Sequence, residues 1–151
     1  MLYWLLKYVL VGPPVRVLFR PSVSGGSHVP ESGPVIIAAN HLSFVDSIFL
    51  PLAVRRRMTF PAKIEYFRGR GLRGLVARLF FTGIGQIPMD RAGGRAALAS
   101  LDLGAAVLRG GGVFGIYPEG TRSPDGRLHR GRTGVARLAL ETGAPVYPWL
   151  C

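Results

Sequence analysis

Asn40-His-Leu-Ser-Phe-Val-Asp46 places a histidine and a carboxylate five residues apart. A histidine in a strand-to-helix turn, with a carboxylate in the first turn of the helix, can form an imidazole–carboxylate pair. The carboxylate fixes the ring's tautomer and stabilises the imidazolium. The other ring nitrogen is then able to take a proton from a substrate hydroxyl. A plainer arrangement uses the same residues, with Asp46 as a capping-box acid paired with Ser43 and His41 as an ordinary turn histidine. No protein nucleophile stands out: there is no G-x-S-x-G elbow, and the one cysteine is Cys151. If His41 is a base, it activates the substrate's own hydroxyl and no covalent enzyme intermediate forms.

Two further clusters are polar. Tyr117-Pro-Glu-Gly-Thr-Arg-Ser123 leaves an apolar run through a glycine turn. Backbone N–H groups, the Thr121 hydroxyl and the Arg122 guanidinium suit a phosphate there. Gly85-Gln-Ile-Pro-Met-Asp-Arg91 offers a second guanidinium, Arg91. Either arginine alone would read as a solvated loop charge. A fourth pattern, Gly69-Arg-Gly-Leu-Arg-Gly74, matches the G-x-G-x-x-G dinucleotide fingerprint, with Asp90 near the expected distance. Lys63-Ile-Glu-Tyr-Phe-Arg68 separates it from the preceding strand, so the tight strand–turn–helix geometry is missing.

The elements that must position these residues alternate. Val35–Ala39 is a short β-branched run that reads as a buried parallel strand. A helix opens at the Ser43…Asp46 capping box and runs to about Ala53. Met58–Ala62 is a poorer strand, which Pro61 pushes towards an edge or an end. Leu72–Phe81 reads as a helix and Gln86–Met89 as a strand. Arg95–Arg109 is the clearest helix, with Leu98, Leu101, Ala105 and Leu108 on one face and Gly110-Gly-Gly112 ending it. Val113–Tyr117 is a strand, Thr133–Thr142 a helix stopped by Gly143, and Val146-Tyr147 opens a last strand. This alternation predicts an α/β fold with a mostly parallel central sheet and helices on both faces. In such a sheet ligands sit at the carboxyl ends of the strands, where all three polar clusters fall.

The chain has 151 residues, 48% hydrophobic and 18% charged, which excludes a disordered polypeptide. One cysteine excludes a disulfide framework and a Cys-based zinc site. Lys+Arg 19 against Asp+Glu 8 gives a formal net charge of +11. An anionic membrane face, a phosphorylated substrate or nucleic acid would each suit that field. A basic module for anionic lipid or nucleic acid, without chemistry, would cluster its arginines on one helix face with stacking aromatics; here they sit mostly in loops and strand ends. The N-terminal Met1–Val11 is apolar, with Tyr3, Trp4, Lys7 and Tyr8 of the types found at a lipid–water boundary. It is shorter than a spanning helix needs, and Pro13-Pro14 is expected to stop it. Packing on the domain's own core is the other possibility for this segment. The reading adopted is an interfacial helix within residues 1–20, followed by one domain over residues 21–151.

Together the clusters resemble the glycerol-phosphate and lysophosphatidic acid acyltransferase family. Its first motif stands as Asn40-His41 through Asp46, its second as Gly85 through Asp90-Arg91, and its third as Tyr117-Pro118-Glu119-Gly120-Thr121-Arg122-Ser123. Val146-Tyr-Pro148-Trp-Leu150 matches the fourth loosely, since Trp149 follows the proline. The resemblance implies acyl transfer from acyl-CoA or acyl-carrier protein to a glycerol-phosphate-type hydroxyl. It implies His41 as base and Asp46 as its partner. Arg91, Glu119, Gly120, Thr121 and Arg122 would shape the acceptor pocket. Arg132 stands where the family often has a lysine. No cofactor or metal and no nucleic acid is implied; the partners are the acyl donor, a lysophospholipid and the cytoplasmic face of a membrane, bound peripherally or monotopically. Family members continue well beyond the last strand, whereas this sequence stops at Cys151; a fragment, a frame-shifted product or a minimal member would each explain that.

Overall fold

Val35–Ala39 forms β1, and its side chains alternate between two buried layers. The computed structural model describes residues 1–89 and 94–150. The other strands are β2 (Met58–Lys63), β3 (Gln86–Met89), β4 (Val113–Ile116) and β5 (Val146–Trp149). They form one parallel sheet in the order β3-β2-β4-β1-β5. Helices α3 (Asp46–Ala53), α4 (Gly71–Gly83), α5 (Gly94–Arg109) and α6 (Gly134–Thr142) connect successive strands.

Both faces of the sheet are covered. On one, Val35, Ile37, Ala39, Met58, Phe60 and Val113 pack against Leu50 and Val54 at α3. On the other, Ile36, Phe114 and Ile116 meet Ala105 and Leu108 of α5 and Leu138 of α6. The stripe expected on α5 is buried at Ala105 and Leu108, but Leu98 lies 44% exposed. Gly111, at φ +73°, ends α5 in the left-handed conformation, and the Gly112 amide reaches back to the Val107 carbonyl at 2.9 Å.

Two sequence expectations need correction. Pro61 was expected to push β2 to an edge or end, yet β2 lies inside the sheet. Its pairing with β4 covers only Met58 and Thr59, while Phe60–Lys63 pair with β3. The Phe60 amide donates towards β3 at Gly85, so the next residue faces the β4 side after that ladder has ended. A proline is tolerated there because no partner waits for its missing donor.

The second concerns the N-terminus, where Pro13-Pro14 does not stop the helix. Helix α1 (Leu2–Leu5) runs into a π-helical turn (Leu6–Leu10), closed by Val11 N–H to Leu6 O at 2.7 Å, and on into α2 (Gly12–Phe19). The prolines sit in the first turn of α2, where amides need no helical acceptor. Leu2–Phe19 is thereby long and apolar enough to cross a membrane by length and composition. One side of it packs on the domain. The Tyr3 hydroxyl accepts from the Met58 amide at 3.1 Å, and Lys7 Nζ donates to the Val54 and Arg56 carbonyls. Phe19 meets Phe49 edge-on at 5.4 Å.

Candidate functional site

Strand order dictates where a cleft opens. From β1 the chain leaves towards β2 through α3 on one face; from its neighbour β4 it leaves towards β5 through α6 on the opposite face. Adjacent strands whose connections diverge leave a crevice at their carboxyl ends. His41 follows β1, and Tyr117 through Arg122 follow β4.

The His41–Asp46 pair forms. Nδ1 of His41 lies 3.0 Å from Oδ2 of Asp46, and both residues are buried. The same carboxylate oxygen accepts the backbone amides of Leu42 and Ser43, each at 2.7 Å. An ionised carboxylate only accepts, so Nδ1 is the donor, and in the neutral ring the lone pair is then on Nε2. The capping box is only half made: Asp46 reaches the Ser43 amide, but α3 begins at Asp46 itself, with Val45 as its N-cap and no side-chain cap bond. The carboxylate thus ties down the turn that carries the imidazole.

The turn after β4 approaches from the other side. The Ser123 amide donates to the His41 carbonyl at 2.7 Å, which joins the two loops. Gly120, at φ +73°, makes the tight turn closed by its amide on the Tyr117 carbonyl at 3.0 Å. Arg132 lies across that turn, its Nε 3.2 Å from where a Gly120 Cβ would stand. Glu119 is buried, and neither carboxylate oxygen has a hydrogen-bond partner among the described residues. Thr121 and Arg122 are exposed. Ser123 Oγ donates to Asp125, which also holds the Arg127 amide and His129. The His129 hydrogen bond, then the Arg127 amide, hold the Asp125 carboxyl below the usual carboxylate range. Asp90 and Arg91 lie outside the described residues.

Tyr117, named in the sequence only as the aromatic that opens the third motif, and Ser47, not named there, both take a place in the site. Tyr117 stacks its ring on the imidazole of His41, with centroids 3.9 Å apart and planes 11° from parallel. Its hydroxyl lies 3.1 Å from Ser47 Oγ on α3. The signal is the register of β1 on β4, where Ala38 pairs with Ile116. That sets Tyr117 beside the start of the His41 turn, and strand order is needed to see it. The G-x-G-x-x-G pattern has a packing reason instead: a Cβ on Gly74 would lie 2.0 Å from the Gly69 carbonyl oxygen. A 3₁₀ turn over Ile64–Tyr66 also separates β2 from α4.

A family model described as Acyltransferase matches residues 20–151. The chain belongs to that acyltransferase family. It is 28% identical over 131 residues to a chloroplastic 1-acyl-sn-glycerol-3-phosphate acyltransferase, BAT2, of Brassica napus, covering 86% of this chain and 36% of the relative. The 1-acyl-sn-glycerol-3-phosphate acyltransferase of Borreliella burgdorferi is 29% identical, covering 83% and 48%. Among solved structures, the 1-acyl-sn-glycerophosphate (LPA) acyltransferase PlsC of Thermotoga maritima aligns with a TM-score of 0.62 and 26% identity, over 83% of this chain and 47% of that one. The chain spans about a third to a half of the length of these proteins.

Proposed function

We propose that this chain transfers an acyl group from acyl-CoA or acyl-carrier protein to a hydroxyl of lysophosphatidic acid or a related glycerol-phosphate lipid. The observation that carries the reading is the buried His41–Asp46 pair at 3.0 Å in the β1/β4 crevice. Nε2 of His41 takes the hydroxyl proton as the oxygen attacks the thioester carbonyl. Asp46 balances the imidazolium so formed. Collapse of the tetrahedral adduct expels the thiolate, which leaves with that proton. The Glu119 carboxylate accepts a hydrogen bond from a glycerol hydroxyl, Arg122 holds the phosphate beside the Gly120-Thr121 turn, and Arg91 is the second guanidinium expected to bind it. No cofactor is needed, because the donor thioester is itself a substrate. Residues 1–20 attach the acyltransferase domain of residues 21–151 to the cytoplasmic face of the membrane.

Acyl transfer from long-chain acyl-CoA and acyl-carrier protein to lysophosphatidic acid or glycerol-3-phosphate is the direct assay. His41→Ala is expected to slow turnover by about 10²–10⁴ while the chain still folds, since Asp46 keeps the Leu42 and Ser43 amides. Asp46→Asn should also be damaging, although a mere helix cap accepts Asn well. Full turnover in Asp46→Asn would make the pair structural and end this reading.

A further inference from the structure

In α4, a helix of 13 residues, Gly74 and Gly83 are the buried positions. All its large apolar side chains but Phe81, which stacks on Tyr66, face outward: Leu72 is 77% exposed, Val76 57%, Leu79 55%, Leu75 46% and Phe80 42%. A helix at a water-facing surface shows the reverse pattern. Leu72, Val76 and Leu79 recur at i, i+4 and i+7, which makes one stripe. Arg68, Arg70, Arg73 and Arg78 flank it, all exposed, and residues 66–89 contain no acid. Among the described residues no carboxylate pairs with any of the four.

We infer that α4 is a second lipid-contacting element, whose Leu72–Val76–Leu79 stripe enters the apolar layer of an anionic membrane while the flanking arginines meet lipid phosphates. The inference rests on the membrane-surface reading above. A lipid surface answers both halves of the pattern at once, since the stripe needs hydrocarbon and the exposed guanidinium groups suit phosphate. Arginine stems can lie along the apolar stripe with their heads at phosphate level. The surface is also continuous with the N-terminal helix. A Cβ on Gly83 would stand 2.5 Å from Leu2 Cδ2 and 3.4 Å from Leu6 Cδ1, so the exposed Leu2 side chain adjoins the end of α4.

The test uses the full chain with Cys151→Ser and Leu79→Cys, labelled at residue 79 with an environment-sensitive fluorophore. Vesicles of mixed phosphatidylcholine and phosphatidylglycerol are compared with pure phosphatidylcholine by emission and by flotation. On the anionic vesicles the label should shift to the blue. Val76→Asn with Leu79→Asn, unlabelled, should lower the partition coefficient about tenfold or more without lowering the melting temperature. Vesicles that carry the protein while the label stays in water would overturn the role of α4 and leave membrane attachment standing. Failure to float with either vesicle would overturn both. A blue shift without lipid that grows with protein concentration would assign the stripe to a second copy and overturn the inference.

Discussion

His41 is held by its neighbours in three directions: Asp46 takes Nδ1, Ser123 binds the main-chain carbonyl, and Tyr117 covers the ring face. An aromatic contact of this kind contributes about 0.5–1.5 kcal/mol. Loss of alignment on that scale slows chemistry about two- to thirteenfold. Tyr117→Leu should therefore lower kcat by that factor with acceptor KM unchanged, and Tyr117→Phe, which keeps the stack, should restore most of it. Equal losses in both variants would assign the effect to the Ser47 hydroxyl contact instead. On the proposed reading Arg122 belongs to binding. Removing one charge-assisted hydrogen bond to phosphate costs about 1.5–3 kcal/mol, so Arg122→Ala should raise acceptor KM about tenfold or more and leave donor KM nearly unmoved. The His41–Asp46 spacing was legible because both residues lie in one turn. Tyr117 was not, because its place depends on β1 and β4 being neighbours across about eighty residues of chain.

Elements were legible where periodicity and punctuation agreed. Helix α5, with its glycine stop, and the β-branched β1 lie where their patterns put them. Prolines misled twice for one physical reason: whether a missing donor matters depends on what stands opposite, and this is decided by tertiary pairing at Pro61 and by position in the turn at Pro13-Pro14. The N-terminal helix also carries a titratable anchor. Burial first, then the charge of Arg16, push the Lys7 ammonium from 10.5 down to about 8. Between those values the unfolded chain holds more protons than the folded one, so stability rises with pH. The contribution is complete above 10.5 and is lost as pH falls through 8. Tyr3, which burial pushes up from 10.0, opposes the trend only at the top of this window. Thermal melting of the lipid-free protein should accordingly climb as pH passes 8, and Lys7→Met should flatten that climb. An unchanged slope in Lys7→Met would place its origin elsewhere.

At the scale of the molecule, topology and charge act at the same end. The segments leaving the carboxyl edge of the sheet bring Arg68, Arg70 and, in the first turn of α4, Arg73 after β2, and Arg122, Arg127, Arg130 and Arg132 after β4. Two of the acids at that edge, Asp46 and Glu119, are buried. Such an edge attracts a phosphate-bearing substrate and an anionic surface alike, and the formal net charge of +11 extends that attraction over the whole chain. The exposed apolar side of Leu2–Phe19, with Trp4, Leu5, Val9, Leu10, Val17 and Leu18, supplies attraction of another kind. Salt separates the two. Each basic residue near an anionic leaflet contributes about 1 kcal/mol, and the Debye length falls from about 10 Å at 0.1 M salt to about 3 Å at 1 M. Vesicle flotation should favour phosphatidylglycerol-containing over neutral membranes at low salt, and high salt should remove most of that preference. A residual affinity, equal for both lipids, should survive through the apolar helix. Indifference to lipid charge at low salt would leave the positive edge to the substrate alone, and complete release at high salt would remove the helix from the contact.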